Sequence, residues 1–276
     1  MNNIKKAQEC NISVLISIYY REESDNLDLC LKSLFQQSMK AKEIIIVHDG
    51  PLTDDLYECL SYWKVKLPIV EVILEKNVGL GCALNIGLNR CQYDLVARVD
   101  TDDINLPNRF EIQYEYMSKN IHIAMCGSHI SEFEENPEQI VSMRKVPVGD
   151  AIKKFIFKRN PFNHMTVMYR KSAVINSGSY QDLKFMEDYY LWIRMYLKGY
   201  ELDNLDMVLV NARIGNGMLE RRKGIEYYKS ELRFMKYLLN ADVPNKPRIA
   251  GRFLIRSHIR LLPKSLLRRA YKITRK

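Results

Sequence analysis

The chain has 276 residues, of which 47% are hydrophobic and 27% charged, a balance typical of a folded globular protein and unlike that of a disordered one. No stretch approaches the roughly 20 apolar residues that a membrane-spanning helix needs, and the N-terminus lacks the apolar run of a secretory signal. Composition therefore predicts a protein that stays in the cytoplasm, with one domain of about 200 residues and an accessory segment.

The net charge of +9 is concentrated at one end of the chain. Residues Lys246 to Lys276 contain eleven Lys or Arg residues and no acid, which leaves 31 basic against 33 acidic residues elsewhere, a net of −2. The six cysteines show neither a CxxC pair nor the spacing of zinc ligands. We therefore expect reduced thiols rather than a disulfide framework, and a basic C-terminal segment rather than a basic protein.

Predicted strands and helices alternate over the first 120 residues. Short apolar runs rich in β-branched residues predict buried strands, and apolar residues at helical spacing predict the helices between them. The predicted strands are 12–19, 43–47, 69–74 and 94–99, and the predicted helices are 25–37, 54–63, 79–88 and 107–117. This alternation predicts an α/β fold, a Rossmann-like and mostly parallel sheet flanked by helices, with right-handed crossovers.

Beyond residue 120 the alternation weakens. The pattern predicts strands at 121–130, 138–146 and 164–169, and helices at 149–158 and 185–197. The last third of the chain is predicted to be helical, because an apolar stripe runs from Ile225 to Leu239 and is followed by two basic helices on either side of Pro263.

Three carboxylates follow the fourth predicted strand, where open parallel sheets bind ligands. Asp100, Asp102 and Asp103 lie within four residues, and such like charges are costly in a closed site unless a cation joins them. Hard divalent cations such as Mg²⁺ and Mn²⁺ take oxygen ligands. The alternative is a solvated acidic turn that caps the next helix. Asp49 ends the second predicted strand in the same crevice, which favours a metal–nucleotide site.

Five segments, in this order, resemble family 2 glycosyltransferases of the GT-A fold. They are Val14–Tyr20, Ile46–Gly50, Asn77–Gly87, Val99–Asp103 and Glu187–Trp192. In length, and over Asn163 to Arg194, the chain looks most like bacterial transferases that build O-antigen or capsule polysaccharide. The resemblance implies a catalytic domain at 1–215, with a nucleotide-sugar half at 1–120 and an acceptor half at 121–215. The resemblance implies that residues 216–276 form a separate segment that is helical, basic and membrane-associating.

The resemblance implies a role for each carboxylate at the predicted sheet edge. Asp49 would contact the nucleotide base, and Asp102 would lie near the ribose and diphosphate and share in binding the metal. Asp103 would be the direct metal ligand. Asp100 would belong to the cofactor site as well and would support the carboxylates of Asp102 and Asp103. One divalent cation, Mn²⁺ or Mg²⁺, would bridge to the diphosphate.

Two further loops are assigned to the donor by the same resemblance. Residues from Tyr19 to Glu22 would line the uracil pocket, although Tyr20 stands where asparagine is commoner. Gly79 belongs to a glycine-rich loop that suits a phosphate. The dinucleotide fingerprint would need a third glycine at the position of Leu84, so a Rossmann dehydrogenase is disfavoured.

An acid pair, Glu187 and Asp188, resembles the family's catalytic carboxylates. In the family the aspartate is the general base, which must reach the attacking hydroxyl. The alternative is that both acids merely begin a helix, where acidic side chains are favoured. His164 would contact diphosphate or acceptor in this likeness, but a structural role is favoured. Trp192 is expected to pack in the core.

These features, taken with the family resemblance, imply an inverting, metal-dependent transferase. It would move a hexose, with galactose favoured, from a UDP-sugar to a hydroxyl of a polyprenyl-diphosphate-linked saccharide by a single displacement. One alternative is a sugar-nucleotide nucleotidyltransferase, but the loop after the first strand lacks the glycines of that class. The other is a non-catalytic nucleotide- or membrane-binding scaffold, against which the intact acids argue.

Arginines recur every four residues in the first basic helix, at Arg248, Arg252, Arg256 and Arg260. Such a row drifts by about 40° per step, so within a short helix it stays on one side. A basic helix with apolar partners is typical of an element that lies on an anionic membrane. A solvated helical face is the alternative, and nucleic acid is not expected because no nucleic-acid module is present. We expect a peripheral protein on the inner face of the cytoplasmic membrane, held by Lys246–Lys276.

Overall fold

The computed structural model describes residues 8–215 and 223–262. Strands and helices alternate in its first half, as the sequence predicts. The elements are β1 (Gln8–Ile18), α1 (Ser24–Phe35), β2 (Met39–His48), α2 (Asp54–Lys64), β3 (Ile69–Ile73), α3 (Leu80–Arg90), β4 (Leu95–Arg98), β5 (Ile104–Asn105) and α4 (Arg109–Lys119).

The second half is less regular. Its elements are β6 (Ile123–Phe133), β7 (Ile140–Arg144), α5 (Ala151–Phe155), a 3-10 helix (His164–Thr166), β8 (Met168–Arg170), α6 (Lys171–Asn176), α7 (Glu187–Leu197), β9 (Glu201–Arg213), α8 (Ile225–Asn240) and α9 (Lys246–Ile259).

The strands join in one sheet, in the order β3-β2-β1-β4-β8-β6-β9-β5, and β7 pairs with β6 outside this order. The pairs β3–β2, β2–β1 and β1–β4 are all parallel. The pairs β4–β8 and β8–β6 are antiparallel, whereas β6–β9 is parallel again. The α/β fold with a mostly parallel first half is confirmed, and the carboxyl ends of β1, β2 and β4 meet at one edge.

The central strands are buried on both faces, which explains why they are almost continuously apolar. Successive side chains point to opposite faces. Leu15, Ile45 and Val47 pack on the side of α3 and α7, whereas Val14 and Ile46 pack on the side of α1, α2 and α4. The helices on both faces fix the sheet edge at which the polar side chains collect.

The structure of the second half differs from the prediction in two strands. The predicted strand at 164–169 is a 3-10 turn followed by the short β8. The 13-residue β9 was not predicted at all, because Glu201, Asp203 and Asp206 belong to a residue type depleted in strands and interrupt the apolar alternation. These residues fit β9 because it pairs with β6 through several register shifts, which leave parts of it outside regular alternation.

Helices α8 and α9 form an antiparallel pair against the core. Phe234 on α8 meets Phe253 on α9 with ring centroids 5.3 Å apart. The carboxylate of Glu231, fully buried on α8, binds Arg256 at 2.8 Å and Arg260 at 2.9 Å. The four arginines of the predicted row therefore do not form one solvent-facing surface. The second predicted basic helix, beyond residue 263, lies outside the described residues.

The helices of residues 8–215 and 223–262 are all too short or too polar to cross a bilayer. All six cysteines fall within these residues and are free thiols, as the sequence predicts.

Candidate active site

The acidic cluster follows the last residue of β4. One carboxylate oxygen from each of Asp100, Asp102 and Asp103 lies within 4.8 Å of the others. Asp103 is buried, and its Oδ1 accepts a hydrogen bond of 2.9 Å from the backbone N–H of Arg213 at the end of β9. The strand that the sequence pattern did not reveal thus holds the central carboxylate of the predicted metal site.

Burial raises the pKa of Asp103 well above its ordinary value, and the neighbouring charges of Asp102 and Asp100 raise it further. The amide of Arg213 and the guanidinium of Arg98 act in the opposite direction but are the smaller influences. Without a further positive charge, the cluster therefore favours a proton on Asp103. The oxygen ligands and the excess of negative charge fit a hard divalent cation.

Arg98 is a buried cation beside the acidic cluster. Its guanidinium forms an ion pair with Asp100, and its charge also acts on Glu187 and His164. Arg109 donates a 2.8 Å hydrogen bond to the Arg98 carbonyl. No role was predicted for Arg98 from the sequence, although a charged residue that ends an otherwise apolar strand was a usable signal.

Asp49 follows β2 and holds the loop before α3. Its Oδ1 accepts a 2.6 Å hydrogen bond from the amide of Val78, and its Oδ2 accepts one of 3.1 Å from the amide of Gly79. Asn77 donates to the Asp49 carbonyl at 3.1 Å. Gly50 has a φ of +89°, and an added Cβ would lie 2.8 Å from the Asn77 nitrogen, so only glycine fits this close approach.

Gly79 and the loop after β1 complete the same edge. Gly79 has a φ of +88°, and an added Cβ would meet no described atom within 4 Å, so the loop is open at this point. Thr101, within the acidic cluster, donates to the carboxylate of Glu22, which also accepts a 3.2 Å hydrogen bond from Asn26. Tyr19 is partly exposed. Every predicted donor residue thus lies at this edge, and Glu22 is tied to the cluster.

The acid pair begins α7, and the charge of Arg98 acts on its first residue, Glu187. Asn160 donates a 2.7 Å hydrogen bond to Oδ2 of Asp188. Burial, followed by the charge of Asp188, raises the pKa of Glu187 to about 7. Among the described residues, Glu187 Oε2 is buried without a hydrogen-bond partner. A Cβ added to Gly81 would lie 3.6 Å from the Cβ of Glu187, so the first turn of α3 adjoins the acid pair.

The contacts of His164 and Trp192 fit a structural role in the core. Nε2 of His164 lies 3.0 Å from the hydroxyl of Tyr180. Burial and the nearby Arg98 charge lower the His164 pKa well below its ordinary value, so the ring stays neutral. Trp192 is fully buried with its ring near those of His164, Tyr180 and Phe162. The prediction that Trp192 packs in the core is confirmed.

The family model described as Glycosyl transferase family 2 matches residues 13–184, more than half of the chain. The chain belongs to glycosyltransferase family 2. It is 43% identical over 265 residues to the amylovoran biosynthesis glycosyltransferase AmsE of Erwinia amylovora, covering 96% of this chain and 99% of the relative. It is 37% identical over 260 residues to an Escherichia coli galactosyltransferase, covering 94% of each chain.

Solved structures share the fold of this family 2 glycosyltransferase. S. aureus TarS 1-349, in complex with UDP-GlcNAc, superposes with a TM-score of 0.68 at 20% identity over 89% of this chain and 72% of that one. The mannosyltransferase PcManGT of Pyrobaculum calidifontis, in complex with GDP-Man and Mn²⁺, gives 0.55 at 14% identity over 83% and 62%. The predicted GT-A fold and the predicted enzyme class, a glycosyltransferase, are confirmed. The nucleotidyltransferase and scaffold alternatives are disfavoured.

Transferases of this fold generally use a divalent cation, and the acidic cluster offers oxygen ligands for one. This family 2 glycosyltransferase therefore brings together three predicted groups: the acidic cluster, the Asp49 loop and the acid pair. The residues that bind these acids, Arg98, Asn160 and Arg213, were not predicted. The partners of Asn160 and Arg213 are distant in the sequence, whereas Arg98 binds the nearby Asp100.

Proposed function

We propose that the chain is an inverting, metal-dependent transferase that moves a hexose, with galactose favoured, from a UDP-sugar to a hydroxyl of a polyprenyl-diphosphate-linked saccharide in O-antigen or capsule synthesis. The observation that carries the proposal is that the charge of one buried cation, Arg98, acts both on the acidic cluster and on Glu187 of the acid pair. The E. coli relative supports donor and acceptor, because it is described as a UDP-Gal:α-D-GlcNAc-diphosphoundecaprenol β-1,3-galactosyltransferase.

The cation would be held by Asp103 and Asp102, with Asp100 oriented by its ion pair to Arg98. Their fit rests on three oxygen donors within ligand distance of one another and on a buried carboxylate whose charge is otherwise disfavoured. Mn²⁺ and Mg²⁺ both suit such a donor set. When bound, the ion supplies stabilisation of the negative charge that develops on the departing diphosphate.

The donor nucleotide would lie over the loops after β1 and β2. Asp49 orients the loop before α3 through the amides of Val78 and Gly79, and its position suits contact with the base. Tyr19 supplies an exposed aromatic ring, and Glu22 ties that loop to the acidic cluster through Thr101. The open space at Gly79 suits the sugar or phosphate of the donor.

Asp188 would accept the proton of the acceptor hydroxyl as that oxygen attacks the anomeric carbon. Asn160 holds one of its oxygens at 2.7 Å and so fixes the direction of the carboxylate. Glu187, with its pKa raised to about 7, carries a proton for much of the time at neutral pH and thereby limits repulsion beside Asp188. A single displacement of this kind inverts the anomeric configuration and needs no covalent enzyme intermediate.

The protein would work at the inner face of the cytoplasmic membrane, where a lipid-linked acceptor is found. The basic segment Lys246–Lys276, with eleven cations and no acid, suits contact with anionic lipid. This contact would place enzyme and acceptor on one surface.

The test is a panel of nucleotide sugars assayed for release of free nucleotide in the presence of a lipid-diphosphate saccharide. UDP-galactose is expected to give the highest turnover. Asp188→Asn should lower turnover by about 10²-fold or more, because it removes the general base, while UDP binding is retained. Asp182→Asn, an exposed acid in the preceding loop, is the control. Turnover by Asp188→Asn at the level of this control would contradict the assignment of the base.

A further inference from the structure

Two arginines of the row on α9 point into the protein, whereas the large aliphatic side chains near the end of α9 are exposed. Ile249 and Phe253 are buried against α8, and Arg256 and Arg260 bind the buried Glu231. Two cations of the arginine row are therefore committed inside the protein. They neutralise a carboxylate and are not available to a charged partner.

Large aliphatic side chains are exposed at the C-terminal end of α9 and just beyond it. Ile255 has 66% of its surface in water, Leu261 has 49% and Leu254 has 41%, and Leu262 is also exposed. Leu254 and Ile255 lie on α9, at about 100° and 200° around the helix from Phe253, and Leu261 and Leu262 follow its last residue, Ile259. We call these four side chains the outward face of α9. Four large aliphatic side chains that are exposed at the end of a helix and just beyond it indicate a surface that a partner covers.

The occupant is indicated by charge. Lys246 and Arg248 lie exposed at the first turn of α9, and the chain beyond the described residues, 263–276, adds six more cations and no acid. A second copy of the same face would bring like charges together, which disfavours self-association. A surface of anionic phosphates over hydrocarbon satisfies both the aliphatic side chains and the cations.

We propose that the outward face of α9 inserts into the headgroup region of an anionic phospholipid bilayer, with Lys246 and Arg248 against the lipid phosphates. The inference rests on the proposed function, which supplies a lipid-linked acceptor, and it changes the expected contact surface. The row of four arginines is not the surface that contacts the membrane. The exposed aliphatic side chains form that surface, and Arg256 and Arg260 hold α9 in the orientation that exposes those side chains.

The test is sedimentation with vesicles of mixed phosphatidylcholine and phosphatidylglycerol. Ile255→Glu should weaken partitioning by about tenfold, because it replaces an exposed isoleucine that would be buried in the bilayer with a charge that the lipid phosphates repel. Val65→Glu is the matched control, since Val65 is an exposed aliphatic residue at the end of α2. It should sediment like the unchanged protein. Both variants alter exposed positions, so thermal unfolding should show them folded.

The same proteins are assayed for sugar transfer to an acceptor with a short, water-soluble alkyl chain. Ile255→Glu should keep turnover within about twofold of the unchanged protein, because the change lies outside the active site. If neither the unchanged protein nor the variants transfer sugar, but the vesicle result is as expected, the proposed function is contradicted. The assignment of the outward face of α9 to the membrane is then unaffected.

Three results would overturn the inference. One is unchanged vesicle binding by Ile255→Glu. Another is equal binding to vesicles of pure phosphatidylcholine, which would remove the anionic partner. The third is a dimer in solution that Ile255→Glu dissociates, without vesicle binding by the unchanged protein, which would assign the face to a second copy of the chain.

Discussion

Arg98 connects the two halves of the site at the level of single residues. Its ion pair orients Asp100, and its charge partly offsets the burial of both Asp103 and Glu187. Arg109 binds the Arg98 carbonyl through a hydrogen bond. Removing this buried cation would leave several carboxylates without their main positive neighbour, so Arg98 is expected to position acids rather than to touch the acceptor.

The first residue-level prediction concerns Asp103. UDP with Mn²⁺ should raise the Tm by about 5 °C or more at about 100 times the Kd, because ligand binds only the folded state. Asp103→Asn should remove most of that rise, since it replaces the central oxygen ligand with a neutral amide. Asp242→Asn, an exposed acid outside the site, is the control. Equal rises in Asp103→Asn and in the control would contradict the metal assignment.

A second residue-level prediction follows from Glu187, whose pKa is raised from 4.5 to about 7 in the folded protein. Between these pH values the folded state holds a proton that the unfolded chain has lost, so stability falls as pH rises through this window. Glu187→Gln cannot ionise. It should match the unchanged protein below pH 4.5 and be more stable above pH 7, by on the order of 3 kcal/mol.

Urea unfolding across this pH range measures the effect. The informative quantity is the difference in the free energy of unfolding between Glu187→Gln and the unchanged protein at each pH. A difference that does not grow with pH would show that burial does not disfavour the Glu187 charge.

At the level of elements, α8 supports the helix that carries the acid pair. Phe185 has a φ of +70°, a strained backbone for a bulky residue, and stacks on Tyr227 of α8 at 4.9 Å. Farther along, Tyr190 stacks on Tyr237 at 4.9 Å. Helix α8, which lies in the C-terminal part of the chain, therefore supports the start of α7. The predicted boundary between a catalytic domain at 1–215 and a segment at 216–276 stays a prediction.

Glu231 gives the element-level prediction. Glu231→Gln would leave Arg256 and Arg260 without their buried counter-charge, and the free energy of unfolding should fall by about 3 kcal/mol. Glu226→Gln on the same helix is the matched control, because it breaks only an exposed ion pair with Lys184. Its effect should be small. Equal losses in the two variants, measured by urea unfolding, would show that Glu231 does not hold α8 to α9.

At the scale of the whole molecule, the parallel half and its loops could be predicted from the sequence. Strands buried on both faces are apolar throughout, and the residues that follow them collect at one edge because parallel strands end together. The predicted residues from Tyr19 to Asp103 accordingly meet there. The acid pair was predicted only through its likeness to a family, since its spacing alone also fits the start of a helix.

The second half could not be predicted as well, for a physical reason. β9 is rich in acidic and amide side chains, and it is stabilised by pairing with β6, which is distant in the sequence. Its last residue nevertheless supplies the amide that binds Asp103. Local patterns carry no signal for such a contact, and the same holds for Asn160 with Asp188.

The central claim is that a divalent cation beside Asp103 is required for sugar transfer by this glycosyltransferase. The most direct measurement is turnover of UDP-galactose after exhaustive chelation of the purified protein, followed by addition of Mn²⁺ or Mg²⁺. We predict that turnover falls by about 10²-fold or more without metal, because charge on the departing diphosphate is then unsupported, and returns when either ion is restored. Full transfer by the chelated protein would contradict the claim.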